Sequence, residues 1–197
     1  MRAPASRLFA ACVAIWGTTW IAITFQLGRV PPEASVAWRF GLASLLVAAL
    51  CRVRGFTLRF PLRVHGLLAL LGLTMFCLGY LFVYHAETML VSGLVALGYS
   101  ASPLVNMALS RLAFGVPMRR RVAAGGLLGV AGVALVFWPE LSRFQGGGRA
   151  ALGAALTAGG VLSAAVGNVF ATMLERRGVN VWQKMAWGMG YGAALCL

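Results

Sequence analysis

Hydrophobic positions in this chain run in long unbroken stretches separated by short Arg-rich segments. The first stretch, Leu8 to Gly28, holds 21 residues without Lys, Arg, Asp or Glu. As a helix it is ~31 Å long, about the thickness of a hydrocarbon core. Five further runs follow at about 34–51, 64–86, 89–110, 122–138 and 150–174. A seventh starts at Met185 and stops after 13 residues, at Leu197. That is short of the ~20 residues a helical span needs. The pattern predicts an all-α membrane protein, a polytopic helical bundle, whose sequence ends inside a span. A fragment of a longer protein, or a truncated product, is therefore expected.

Punctuation between the runs agrees with this. Pro31-Pro32 stops the first helix, Glu87-Thr88 makes a tight turn, and Gly146-Gly147-Gly148 reads as a linker. With the N-terminus inside, thirteen Arg and Lys residues fall on the inner side against three outside, with Arg39 left in the membrane. The excess of positive charge on one side predicts a multi-pass protein of the cytoplasmic (inner) membrane with a cytoplasmic N-terminus.

Composition enlarges the picture without altering it. The chain is 60% hydrophobic with a net charge of +13, from 17 Lys and Arg against four Glu and no Asp. Its mean hydropathy is +0.85. So basic a chain raises nucleic acid as a partner, but the charge lies between apolar runs and no recognition motif is present, so no nucleic acid is expected. Cys12, Cys51, Cys77 and Cys196 all lie within apolar runs, without a CxxC pair or a His at ligand spacing. They read as small buried thiols, and no metal or other cofactor is expected. No Gly-x-x-x-x-Gly-Lys sequence is present to hold a nucleotide.

Polar and aromatic residues inside the apolar runs are the candidate site. Trp16, Trp20 and Thr24 recur at i, i+4 and i+8 on one face of the first helix, with Thr18 and Thr19 beside them. That face either lines a cavity, where Trp16, Thr19 and Trp20 meet a solute, or packs on another helix through Gly17 and the threonines. Arg39 lies 13 positions before Arg52, too close for both to sit outside the membrane, and costs ~2.5–3.5 kcal/mol at a span centre. Its head either snorkels to the interface or faces inward as a charge partner. In the third run Phe76, Tyr80, Tyr84 and Glu87 lie near one stripe. Tyr80 is far enough from the helix end to reach a cavity. Glu87 is the only acid near a span and the sole carboxylate available here for proton coupling or as a charge partner; at a turn, a solvated or Arg-paired Glu is the alternative. In the fourth run Pro103 removes a backbone hydrogen bond to the Tyr99 carbonyl, leaving that group to Ser100, Ser102, water or a ligand. Tyr99 and Ser102 are the candidates there. Asn168 is an amide that needs a partner, on a neighbouring helix or a substrate. Gly125, Gly129 and Gly132 give the fifth run a smooth face expected to pack closely on another helix.

A weak internal repeat is also visible. Setting Trp16 on Ala164 places Trp38 one residue from Trp187, and Gly41 and Ser44 near Gly190 and Ala193. Thr18-Thr19-Trp20 then falls opposite Val166-Gly167-Asn168. Spans one and six run in opposite directions, so a second copy would be inverted, with a site near the midplane. The run Ala14-Ile15-Trp16-Gly17-Thr18-Thr19-Trp20, then Pro31-Pro32 and Trp38-Arg39-Phe40, resembles the opening of the EamA-type drug/metabolite transporters. Tyr80 to Tyr84, Gly93 to Leu97 and Ser102-Pro103-Leu104 are similar to that family's third and fourth helices, and Arg121 to Phe137 to its fifth. The resemblance implies ten helices in two inverted five-helix repeats: 1–145 as the first repeat, complete, and 146–197 as the start of the second, truncated. Two departures stand out: Ala164 where the family often has a bulky group, and Gly115-Val116 in place of the usual Gly-Glu.

Function follows from that resemblance: a secondary transporter, an exporter of small organic metabolites across the cytoplasmic membrane by alternating access. Its partners would be a small-molecule substrate, the lipid bilayer, and a second chain or the missing C-terminal half. A non-transporting truncated fragment is the alternative. An intramembrane enzyme is disfavoured, because there is no Asp, no HExxH and no GxSG, the nearest approach being Val91-Ser92-Gly93, preceded by Leu90.

Overall fold

The computed structural model describes residues 5–25, 30–136, 138–142 and 147–197; the side chains of Ala5, Trp20, Ile21, Thr24, Glu140 and Leu141 lie outside that description. Among the described residues every regular element is helical, and the protein is an all-α membrane helical bundle. In chain order the helices are α1 (Ala5–Thr24), α2 (Pro32–Val53), α3 (Leu62–Leu71), α4 (Gly79–Glu87), α5 (Ser92–Tyr99) and α6 (Ser102–Phe114). They continue with α7 (Arg120–Val136), α8 (Trp138–Ser142), α9 (Gly148–Glu175) and α10 (Val181–Leu195). A π-helical segment, Gly72–Leu78, joins α3 to α4 into one rod. Among the described residues, three helices are long and apolar enough to cross a membrane: Pro32–Val53, Leu62–Glu87 and Gly148–Glu175. The 145/146 division expected from sequence falls among residues outside the description.

Local chemistry explains where the helices depart from the hydropathy runs. Pro32 and Glu33 open α2, because a first-turn proline lacks only an N–H that would be unpaired anyway and an acid there complements the helix dipole. The fourth run is two helices, α5 and α6, broken at residues 100–101. Gly115 ends α6 in the left-handed region (φ +67°), its N–H returning to the Arg111 carbonyl at 2.9 Å. The seventh run begins at Val181, four residues before the apolar stretch, because Asn180 and Gln183 form a reciprocal capping box. Lys184, expected in a loop, is therefore helical; it is 3% exposed and ion-paired with Glu175.

The core lies where α10 enters between α2 and the α3–α4 rod. Small residues set this approach: a Cβ on Gly72 would stand 2.7 Å from the Gly188 carbonyl oxygen, and one on Gly192 2.5 Å from the Phe76 Cβ. Gly188 and Gly192 are one turn apart, the small-xxx-small spacing that lets membrane helices touch backbone to backbone. The α2–α10 contact is reciprocal. A Cβ on Gly41 would meet the Ala193 Cβ at 3.8 Å, and one on Gly190 would meet the Ser44 Oγ at 2.9 Å. Gly190 and Ala193 are the positions near which Gly41 and Ser44 fall when Trp16 is set on Ala164. The Ser44 hydroxyl also donates to the Ala186 carbonyl (2.7 Å). At the end of the bundle that carries the 54–61 loop, Gln183 donates to the Thr57 carbonyl (2.6 Å) and Trp187 to that of Leu58 (3.0 Å).

Two expectations are corrected here. Gly125, Gly129 and Gly132 face open space, with nothing within 4 Å of a Cβ at any of them; in α7 it is Gly126 that meets a neighbour, Leu104. Cys12 is exposed, whereas Cys51, Cys77 and Cys196 are buried, the last two with sulfurs 2.9 Å apart.

Candidate functional site

The site is built on two interruptions of helical regularity. In the first, the π-helical turns of Gly72–Leu78 replace i→i+4 bonding, so the Gly79 N–H reaches back to the Thr74 carbonyl. Such wide turns leave carbonyls badly placed for the ladder, and side chains take them up. The Ser163 hydroxyl of α9 donates to the Thr74 carbonyl (2.7 Å), and the Tyr99 hydroxyl to that of Gly79 (3.3 Å). The second interruption is the α5–α6 break. Pro103 has no N–H for the Tyr99 carbonyl, and the Ser102 hydroxyl supplies the missing bond at 2.6 Å. The Ser100 hydroxyl donates to the Leu97 carbonyl (2.6 Å), which also accepts the Ser100 N–H (3.0 Å).

Between these interruptions lies a cavity of about 730 Å³, bounded by α1, α2, the α3–α4 rod, the α5–α6 break, α9 and α10. That is within the range of small-molecule sites. Trp16 and Thr19 line it from α1, Arg39 from α2, Tyr80 from α4, and Tyr99 and Ser102 from the break. Ala164 lines it from α9 with no more than a methyl group. Among the described residues, Arg39 is the one charged residue of this lining. Its guanidinium carbon sits 5.0 Å from the Tyr80 ring centroid and 5.5 Å from that of Phe40. The Tyr84 side chain is close enough to interact with it electrostatically. A second hollow of about 460 Å³, between α5–α6 and α9, is lined almost wholly by Leu, Ala, Val and Gly; its Thr157 hydroxyl is taken up by the Gly153 carbonyl (2.9 Å). It offers no converging polar groups.

The remaining candidates lie elsewhere. The Trp20 side chain is outside the described residues. The Asn168 amide does not reach the cavity: it is exposed and donates to the Asn106 Oδ1 at 3.0 Å, so a neighbouring helix is its partner. Glu87 sits one turn beyond Val83, which lines the cavity, but is not itself in the lining. It is 9% exposed and neither carboxylate oxygen accepts a hydrogen bond among the described residues, so it is neither solvated nor Arg-paired. The Thr18 and Thr19 hydroxyls donate back along α1, to Ala14 and Ile15 carbonyls at 2.8 Å, which leaves only their lone pairs for a ligand. Sequence reasoning missed Met75, Met185 and Met189, which give the cavity a thioether wall. The i, i+4 spacing of Met185 and Met189 was the available signal.

A helical membrane bundle whose interrupted helices converge on one cavity has the architecture of a solute transporter. The model of the EamA-like transporter family matches residues 5–138, and the chain belongs to that family. Among curated relatives, it is 35% identical over 130 residues to the uncharacterized inner membrane transporter YedA of Escherichia coli K12, a match covering 66% of this chain and 42% of that one. It is 28% identical over 107 residues to protein PagO of Salmonella typhimurium, covering 54% of this chain and 35% of that one. The chain thus matches less than half the length of these relatives. One solved crystal structure superposes on 90% of this chain and 61% of its own with a TM-score of 0.66; at 23% identity the likeness concerns the fold alone.

Proposed function

We propose that this chain is the substrate-binding part of a secondary transporter of the inner membrane, exporting small organic solutes by alternating access. One observation carries the reading: Trp16, Thr19, Arg39, Tyr80, Tyr99 and Ser102, scattered over four apolar runs, line a single cavity. The name of YedA as an inner membrane transporter and the family match support it. The π segment and the α5–α6 break both border the cavity, and such interruptions are where a helix bends without tearing a full ladder of hydrogen bonds. The arginine distribution supports a cytoplasmic N-terminus and a multi-pass path.

The reciprocal α2–α10 contact supports two inverted five-helix units, with the division near 145/146. Ile15 and Trp16 of α1 are 64% and 62% exposed beside the cavity, the side on which a second unit, on the same or another chain, would close it. The remaining partners in this reading are the solute and the lipid.

Substituted-cysteine labelling in a Cys-free background tests the cavity. Cysteines at 16, 80, 99 and 102 are expected to react with a membrane-impermeant thiol reagent much faster than at Leu46 and Leu135, which are exposed on the outer faces of α2 and α7. Equal, slow reaction at all six positions would show that the cavity does not communicate with water.

A further inference from the structure

We infer that the cavity selects organic anions, with Arg39 as the group that receives the carboxylate or a comparable oxyanion. This rests on the transporter reading above and names its substrate class. Among the described residues, Arg39 is the lone charge in a lining otherwise made of aromatic, thioether, aliphatic and hydroxyl groups. No carboxylate of the described residues neutralises it. The acids that form ion pairs are Glu33, 3.2 Å from the His85 Nε2, and Glu175, which holds Lys184. Among the described residues, Glu87 accepts no hydrogen bond, from Arg39 or any other group.

What surrounds the guanidinium orients it without cancelling its charge. The faces of Phe40 and Tyr80 attract a cation through their quadrupoles. A guanidinium carries five N–H donors in a planar fork, and contacts with ring faces leave them for a ligand. A cation in a weakly polar cavity favours an anion over a neutral molecule of the same shape, and repels an ammonium. The fork suits a planar, bidentate oxyanion. Trp16, Phe40, Phe76 and Met189 form the apolar wall, so the anion's body is aromatic or aliphatic.

Three probes with one indole body separate these terms: indoleacetate, indoleacetamide and tryptamine. Their binding to the purified full chain in nanodiscs is measured by equilibrium dialysis. Indoleacetate is expected to bind about tenfold or more tighter than indoleacetamide, the scale of a hydrogen bond to a charged group, with tryptamine weakest. Arg39→Gln is expected to remove the advantage of the carboxylate over the amide, and Arg39→Lys to keep part of it. The ranking in the unmodified chain needs no variant to fold. Equal binding of the three probes, tightest binding of tryptamine, or a carboxylate advantage that survives Arg39→Gln would overturn the inference and leave the cavity reading standing. Binding of none of them, with unreactive cysteines at the lining positions, would overturn both.

Discussion

Replacing Gly72 by alanine tests what holds the bundle together. The added Cβ would stand 2.7 Å from the Gly188 carbonyl oxygen, 2.8 Å from the Gly192 nitrogen and 2.8 Å from the Tyr191 Cβ. Ordinary contact begins at 3.4 Å, so α10 must retreat by about 0.7 Å. The atoms met are mostly backbone and cannot rotate away. Overpacking of this kind costs ~1–3 kcal/mol. Against it stands the gain of exchanging glycine for alanine within a helix, ~0.5–1 kcal/mol. Gly66, six residues earlier in the same rod, would have nothing within 4 Å of an added Cβ, so Gly66→Ala reports the helix gain alone. The difference between the two variants isolates the clash and is expected at ~1–3 kcal/mol, a factor of about five or more in the folding equilibrium. Reversible unfolding in mixed detergent micelles, followed by circular dichroism, reads it directly. If Gly72→Ala and Gly66→Ala unfold at the same point, backbone contact between the rod and α10 is not what sets their separation.

Three other outcomes follow from single interactions. Ser102→Ala removes the donor to the Tyr99 carbonyl and is expected to cost ~1–3 kcal/mol, the loss falling in a Pro103→Ala background where a backbone N–H takes its place; equal losses in both backgrounds would contradict the assigned bond. Glu175→Gln is expected to destabilise more than Lys184→Met. The first strands a charge on a side chain only 4% exposed, whereas the second leaves a carboxylate that is 58% exposed, and the reverse order in the unfolding assay would refute that account. Ser163→Ala takes the donor from the Thr74 carbonyl and is expected to speed hydrogen exchange around Gly72–Leu78, while exchange in the α2 interior stays unchanged.

The ends of several helices were legible in residues. Pro32 with Glu33 marks the start of α2, and Asn180 with Gln183 marks that of α10, although an apolar window alone begins the latter too late, at Met185. The loss of a backbone donor at Pro103 could be read directly, and Ser102 was among the groups able to replace it. Asn168 shows the limit: a buried-looking amide demands a partner, but nothing in the order of residues says whether that partner is Asn106 or a solute. Glu87 shows the same limit, since its place at a turn is plain in the sequence while its burial depends on helices distant along the chain.

Hydropathy, charge spacing and proline by themselves determined that this is an all-α membrane bundle, and the motifs of its first helices placed it in its family. These are properties of segments, set by the solvent each segment requires. Only the tertiary structure decided that Arg39 stands over Phe40 and Tyr80, that methionines of α10 share its cavity, and that Gly72 rather than Gly125 touches a neighbouring helix. The π turn at Gly72–Leu78 shifts the helical register, so a stripe drawn at 3.6 residues per turn across it does not predict which side chains meet. Which side chains face one another depends on helix rotation and approach, and those are fixed by contacts between residues more than a hundred positions apart.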